Sequence, residues 1–509
     1  MFHVPKNALY KKISRRKFLE LGGGTAVALG AGSLGVGLGS VITRRPVYAS
    51  SSMEAKWRQY EGSKLVFMSE NTPPSFAIRD NIKAFYDLTG IEVEILTDGL
   101  PTVQQKVGID LRSGQADYQL NYVQDKPIGS PFADFYADLN DFSVDDTLPL
   151  DPQGYGDEVW FENYLDACGV YYERGPIRAF PYDCAVSCTF YRQDLFEKLT
   201  KDFEADYGYR MEFTDETTYK NMVDFTAFFK KMHERDASIP YGYAQHHGSF
   251  GWTTQLDIQR HMYAQNQWLD FAVDDTLGSK NPGPANWGDA QSVKAMEGYK
   301  ALADVSHPDN LTNGTLELNT VYAAGGVAMQ IQYHEFAASV EDTEQSVAAG
   351  GRTAYAMGPK GDPSWNADGS NNVVNATNCG IGGIGINAGA SMDLQRAAFI
   401  FASWACSHET QLMVLQGVGG TPTRRSVLDL PEVKAARNRP TSMPNALTFE
   451  AVYDKGIRSP NMVLGPKLPK ANEYHEIVRV GTQQCISGEL SAQEACESGR
   501  DELNAIHGV

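Results

Sequence analysis

The stretch from Lys64 to Ile95 limits the fold more than any other part of the chain. Lys64-Leu65-Val66-Phe67-Met68 reads as a buried strand. From Ser75 to Thr89, Ile78, Ile82, Phe85 and Leu88 recur at the spacing of one helix face, and Gly90 stands where a left-handed residue ends such a helix. Ile91, Val93 and Ile95 then alternate as a second strand. Two strands joined through one helix within about 30 residues form a βαβ unit, which implies a parallel sheet with a right-handed crossover. A helix near 101–113 and a strand near 118–123 repeat the pattern.

Further helices are predicted at 194–206, 217–234, 289–304, 393–406 and 473–487, with a short strand at Val327–Ile331. Loops rich in glycine, proline and asparagine fall at 278–288 and 358–372, and no internal repeat is visible. At roughly 100–200 residues per domain, the length implies two or more domains. With 42% hydrophobic residues the chain is neither disordered nor collagen-like. These α/β stretches suggest two lobes, although periodicity does not say how the chain is shared between them.

Charge separates the chain into two objects. Of 44 basic and 63 acidic residues, residues 1–49 hold eight basic side chains and one acid, so the remainder has 36 and 62, a net charge of −26. So acidic a body is unsuited to nucleic acid, whose phosphates need a basic face. The N-terminal segment places Arg15-Arg16 before Leu21–Ile42, 22 uncharged residues with eight glycines, then Arg44-Arg45 and Val47-Tyr48-Ala49. This layout resembles a twin-arginine export signal, with cleavage expected after Ala49. An uncleaved anchor is the other reading, since 22 residues can span a bilayer. Its glycines weaken the apolar drive for that role, and the segment has no cysteine for lipid attachment. The expected location is therefore a periplasm.

Seven cysteines occur, Cys168, Cys184, Cys188, Cys379, Cys406, Cys485 and Cys496, an odd number for a disulfide framework. Cys485 and Cys496 flank the turn Ser487-Gly488-Glu489 between two helical runs, where a bridge across the hairpin is geometrically reasonable. Small buried thiols are the reading for the rest.

Five segments then resemble, in order, the family 1 extracellular solute-binding proteins of ABC importers, the maltose-binding-protein-like group. They are Lys64–Glu70 with the helix ending Phe85-Tyr86-Asp87-Leu88-Thr89-Gly90, the turn Ser113-Gly114-Gln115-Ala116-Asp117, and Phe180-Pro181-Tyr182-Asp183 running into Phe190–Phe196. Ala324–Met329 follows, and Gly419–Arg424 is paired with the closing Ser487–Ala495. The resemblance covers about 62–506. It implies an α/β, two-lobed periplasmic-binding-protein fold of type II-like form, its lobes interleaved and joined by hinge crossings. Carried over by position, lobe 1 comprises 58–183 and 314–365, lobe 2 comprises 184–313 and 366–509, and the crossings fall near Asp183, Leu311 and 361–372. The function implied is capture of a carbohydrate between the lobes by a monomer and its delivery to an ABC permease in the inner membrane.

A sugar site needs flat aromatic faces and short polar groups, with carboxylates and Arg making the stronger bonds. Glu70 and Asn71 follow the first strand, at the carboxyl edge where parallel sheets present ligands, and Tyr122 and Asp125 take the corresponding place after a later strand. Each is equally suited to a turn. Tyr182 and Asp183 lie at the first crossing, where a hinge hydrogen bond without ligand is the alternative. The family resemblance adds Trp252, Tyr333, His334 and Trp365, aromatic groups that would equally serve a core, and Asn378, Arg424 and Tyr474 from cleft-lining segments. Arg424 is equally suited to a structural ion pair, and Arg425 to its place in the site. Trp287 reads as packing.

Other chemistry is thinly supported. Gly380-Ile381-Gly382-Gly383-Ile384-Gly385 satisfies G-x-G-x-x-G, but six residues intervene before the next helix, so it reads as a strand and no cofactor is expected. His246-His247 are adjacent, and neighbouring side chains point apart in a strand, so no metal is expected. The serious enzyme alternative is a secreted glycoside hydrolase working through a carboxylate pair.

Overall fold

A computed structural model describes residues 51–509 apart from 163, 249–250, 273–276, 419, 438–446 and 459. The proposed leader at 1–49 lies outside the described residues.

The opening βαβ unit forms as its pattern predicts. Strand β1 (Lys64–Glu70) runs parallel to β2 (Glu92–Asp98) in unbroken register, Lys64 opposite Glu92 through Glu70 opposite Asp98. Between them, helix α1 (Pro73–Thr89) starts where the Thr72 side chain accepts the Ser75 N–H, and its leading prolines sit where no N–H is required. It stops at Gly90, whose φ of 70° suits a residue without Cβ and whose N–H bonds Tyr86 O. Ile78, Phe85 and Leu88 are buried on the sheet, each contributing about 1.5–3 kcal/mol of burial. Helix α2 (Leu100–Ser113) then leads to β3 (Leu120–Gln124), parallel to β1.

Two long strands carry the chain between lobes. The first half of β4 (Ala179–Arg192) pairs antiparallel with β8 (Thr377–Ile386), from Ala179 opposite Gly385 to Val186 opposite Cys379, with a register shift between Pro181 and Asp183. Its second half pairs with β6 (Val327–Tyr333) and β7 (Thr353–Ala356). Beyond β6 lies β5 (Tyr241–Tyr243), and β9 (Met462–Val463) pairs with the start of β8. The order β2-β1-β3-β8-β4-β6-β5 therefore joins two α/β lobes through β4.

This connectivity corrects the expected division. The strand within 314–365 bonds to 187–191 and to β5, so it belongs with the second lobe. Strand β8 bonds to β3 and to the first half of β4, and helices α8 (Met392–Ala405) and α9 (His408–Val418) after it pack on the first. Leu311 and the loop 361–372 are not crossings: Leu311 is exposed among second-lobe elements, and Trp365 packs on a second-lobe helix. Non-local strand pairing decides this, and local periodicity carries no trace of it.

The glycine run at 380–385 is the middle of β8, and no helix opens on it. A Cβ at Gly382 would meet the Tyr122 ring at 2.2 Å and one at Gly385 would meet Val123 Cγ2 at 2.6 Å, so close strand packing requires the glycines.

The second lobe is built from α3 (Gln193–Tyr207), α4 (Tyr219–Arg235), α5 (Gly251–Ala264), α6 (Ala290–Val305), α7 (Thr315–Ala323), α10 (Ala471–Ser487) and α11 (Ala492–His507). Helices α10 and α11 form a hairpin at Gly488. The bridge expected there does not form: Cys485 and Cys496 are free buried thiols, as are the other five cysteines. Cys485 helps to raise the Cys496 thiol, so the two are neighbours, but they are not bonded to each other. Among the described residues, no helix is long and apolar enough to cross a membrane.

Candidate functional site

Strand ends from both lobes meet at the crossing of β4. Glu70 closes β1, Tyr122 lies in β3, and Asp183 follows the register shift in β4. The Tyr122 hydroxyl donates to Asp183 Oδ2 at 3.4 Å, and the Thr421 hydroxyl donates to Oδ1 at 2.8 Å. From the second lobe comes Glu335, buried in the turn His334–Phe336 that follows β6. Burial, then the charge of Asp183, pushes Glu70 up from 4.5 to about 8. Burial lifts Asp183 to about 6 against the Thr421 bond. Glu335 is raised well above the carboxylate range, by burial first and then by Asp183 and Glu70. Like charges this close cannot all ionise at neutral pH, so the cluster presents both O–H donors and carboxylate acceptors.

The second lobe adds a narrow polar pocket at the carboxyl ends of β5 and β6, lined by Ser187, His246, Thr253, Asp257, Arg260, Tyr333 and Asn378 among others. Helix α5 delivers Thr253, Asp257 and Arg260 on one face at spacings of four and three. Arg260 is fully engaged: Nη2 pairs with Asp257 Oδ1, Nη1 donates to Asn378 Oδ1 at 3.2 Å, and Nε donates to the Tyr219 hydroxyl at 3.2 Å. Tyr299 donates to Asp257 Oδ2 at 2.9 Å. Burial opposes ionisation of Asp257, but the Arg260 guanidinium overcomes it and holds the carboxyl below its usual range. The pocket reaches the first lobe through Tyr333, since a Cβ at Gly380 would lie 3.7 Å from its hydroxyl and 3.5 Å from Gln124 Nε2.

The structure sorts the candidates read from sequence. Glu70, Tyr122 and Asp183 come together, and Tyr333 and Asn378 line the pocket. Asn71 is exposed beside Glu70, its N–H bonded to Asp98 O at 3.0 Å. Asp125 is buried after β3 in an ion pair with Lys126 at 2.8 Å. Trp252, at the start of α5, packs on the first-lobe cluster around Leu100 and Val103 and so bridges the lobes.

Five other candidates make packing or structural contacts within the protein. Tyr182 is buried edge-on to Phe67 and donates to Ser75 Oγ at 3.3 Å. His334 Nδ1 lies 3.1 Å from Val186 O and 3.2 Å from Val186 N, and Nε2 meets the Tyr453 hydroxyl at 3.3 Å; burial lowers the ring to about 4, so it stays neutral. Trp365 covers Gly298 of α6, away from the cleft. Arg424 is fully buried, paired with Asp151 at 3.0 Å and lying 4.8 Å over the Trp160 ring. Tyr474 donates to Asp270 at 2.6 Å inside the second-lobe core. The sequence reading missed Glu335, Asp257, Arg260 and the role of His246; only Glu335, two residues beyond Tyr333 at a strand end, carried a usable signal. Among the described residues, no three His, Cys, Asp or Glu side chains are placed to hold a metal ion.

A sequence family described as bacterial extracellular solute-binding protein matches residues 81–441. The chain belongs to this family. Several solute-binding proteins of known structure share its fold. One, an ABC transporter solute-binding protein from Agrobacterium radiobacter K84 in complex with ribitol, is 18% identical with a TM-score of 0.69, over 88% of this chain and 99% of that one. Maltose-bound MalE3 of T. maritima is 16% identical at 0.67, over 87% and 100%. A solute-binding protein of Agrobacterium vitis S4 with bound D-mannitol is 16% identical at 0.63, over 88% and 99%. No curated protein sequence matches the chain significantly.

Proposed function

We propose that this solute-binding protein captures a carbohydrate (a sugar, oligosaccharide or polyol) between its lobes and hands it to an ABC permease. It works as a periplasmic monomer after twin-arginine export. The observation that carries the reading is the convergence, at the β4 crossing, of hydrogen-bonding groups from both lobes: Glu70, Tyr122 and Asp183 from one, Glu335 and Tyr333 from the other. Partly protonated carboxyls and hydroxyls suit a neutral ligand that both donates and accepts hydrogen bonds at many points. Proteins of like fold hold ribitol, maltose and mannitol, which are ligands of that kind. A ligand bonded to both lobes favours the closed arrangement, and release to the permease reverses it. The solute leaves unchanged.

The test is a thermal-shift screen against polyols, monosaccharides, oligosaccharides and amino acids, followed by calorimetry on the hits. A ligand at 100 times its Kd stabilises by about 2.7 kcal/mol, a rise of about 3 °C for a chain this long. Silence across every carbohydrate overturns the reading. Release of reducing ends from a glycan would establish the hydrolase instead.

A further inference from the structure

The histidine pair at 246–247 has a division of labour that adjacency conceals. His247 is engaged: its Nε2 lies 3.1 Å from the Tyr299 hydroxyl and its carbonyl accepts from Gln483 at 2.7 Å. His246 turns the other way. Its backbone N–H reaches Asp257 Oδ2 at 3.5 Å, and its Nδ1 lies 3.7 Å from Asp257 Oδ1. Arg260 keeps that carboxylate ionised, and a negative charge on the Nδ1 side holds the ring proton there. The second nitrogen, Nε2, is buried without a hydrogen-bonding partner, on a ring that lines the pocket with Ser187, Thr253, Arg260 and Tyr333. His246 as a whole is only 7% exposed.

A neutral imidazole protonated at Nδ1 presents a bare lone pair at Nε2. The neighbouring polar groups do not serve it. Arg260 is bound to Asp257, Asn378 and Tyr219, Asn378 also donates to Leu256 O, and Ser187 Oγ meets Thr377 and the Asn378 N–H. A buried acceptor left unpaired is unfavourable, and a donor arriving with a ligand relieves it.

We propose that His246 reads the bound solute: Nε2 accepts a hydrogen bond from one of its hydroxyls, so the pocket selects solutes with an O–H donor at that point and rejects their deoxy or O-methyl analogues. This rests on the carbohydrate reading above, which supplies the hydroxyl. Asp257 and Arg260 act as positioning residues, fixing the tautomer through the ring's other nitrogen.

Two measurements test the idea on the purified protein. In the first, long-range ¹H–¹⁵N NMR with ¹⁵N-histidine, assigned by difference from His246→Gln, reads the tautomer without ligand. A neutral ring protonated at Nδ1 is expected, and a proton on Nε2 overturns the proposal. In the second, calorimetry with D-mannitol, ribitol and maltose compares variants whose fold is checked by circular dichroism. For any probe that binds, His246→Leu should weaken affinity about 10- to 100-fold, while His246→Gln, which retains an acceptor, stays within about threefold. Unchanged affinity in a folded His246→Leu protein overturns the proposal. Should that variant fail to fold, a shift of the wild-type Nε2 resonance on adding the bound probe supports it, and an unmoved resonance overturns it. If none of the three binds the wild type, the carbohydrate reading stands or falls by the wider screen, and the tautomer alone decides the role of His246.

Discussion

Replacing Glu70 with Gln should stabilise the protein, and increasingly so as pH rises. Folding lifts this carboxyl from 4.5 to about 8, so at neutral pH the folded chain holds a proton that the unfolded chain releases. Stability is therefore fully present below the unfolded pKa and is lost as pH climbs toward the folded value. Each pH unit in that window removes about 1.4 kcal/mol, or about 3 kcal/mol by pH 7 and about 5 above pH 8. Glu70 retains some solvent contact and shares its shift with Asp183, so a gain of about 1–3 kcal/mol near pH 7 is expected from the neutral amide. Gln has the shape of the protonated acid and stays neutral at every pH, so the substitution removes charge and little else. For a chain this long the gain moves Tm by about 1–3 °C. Scanning calorimetry of both proteins near pH 5, 7 and 8.5 measures it. A difference that does not change with pH, or a Gln variant less stable at the alkaline end, refutes the reasoning.

Three further outcomes are expected. Arg424→Met strands Asp151 as an uncompensated buried charge and should cost about 3–5 kcal/mol in denaturant unfolding, while solute affinity in the folded protein is unchanged. All seven cysteines should resist alkylation until the protein unfolds, and reductant should leave Tm unmoved, because each is a buried free thiol; an intact 485–496 bridge in the peptide map would contradict this. Trp252→Phe should remove most of any solute-induced change in tryptophan fluorescence, since Trp252 belongs to one lobe and packs on the other; an undiminished signal would place the moving reporter elsewhere.

What was legible in the sequence was local. Ile78, Phe85, Leu88 and Gly90 specify α1 and its end, and the alternation through Ile95 specifies β2, because each depends on neighbours a few residues away. The lobe division was not legible, since pairing of β8 with β3 joins residues more than 250 positions apart. Helix α5 escaped notice for a different reason. Its buried faces carry Gln255, Asp257, Gln259, Arg260 and His261, so no apolar stripe marks it, although Asp257 and Arg260 among them line the pocket. Tyr182, Trp365 and Tyr474 show the converse, because an aromatic ring that stacks on a ligand and one that fills a core are written with the same letter.

The register shift at Pro181–Asp183 puts a buried carboxyl on the strand that both lobes share. Any change at Asp183 would alter the mechanics of opening together with affinity, which makes it a poor place for specificity to drift. Helix α5 and the segment 244–248 lie off that axis and hold His246, Thr253 and Arg260. A relative that needs a new solute can redraw the pocket there while leaving its pivot untouched. Directed evolution should therefore begin on α5, with β4 held fixed.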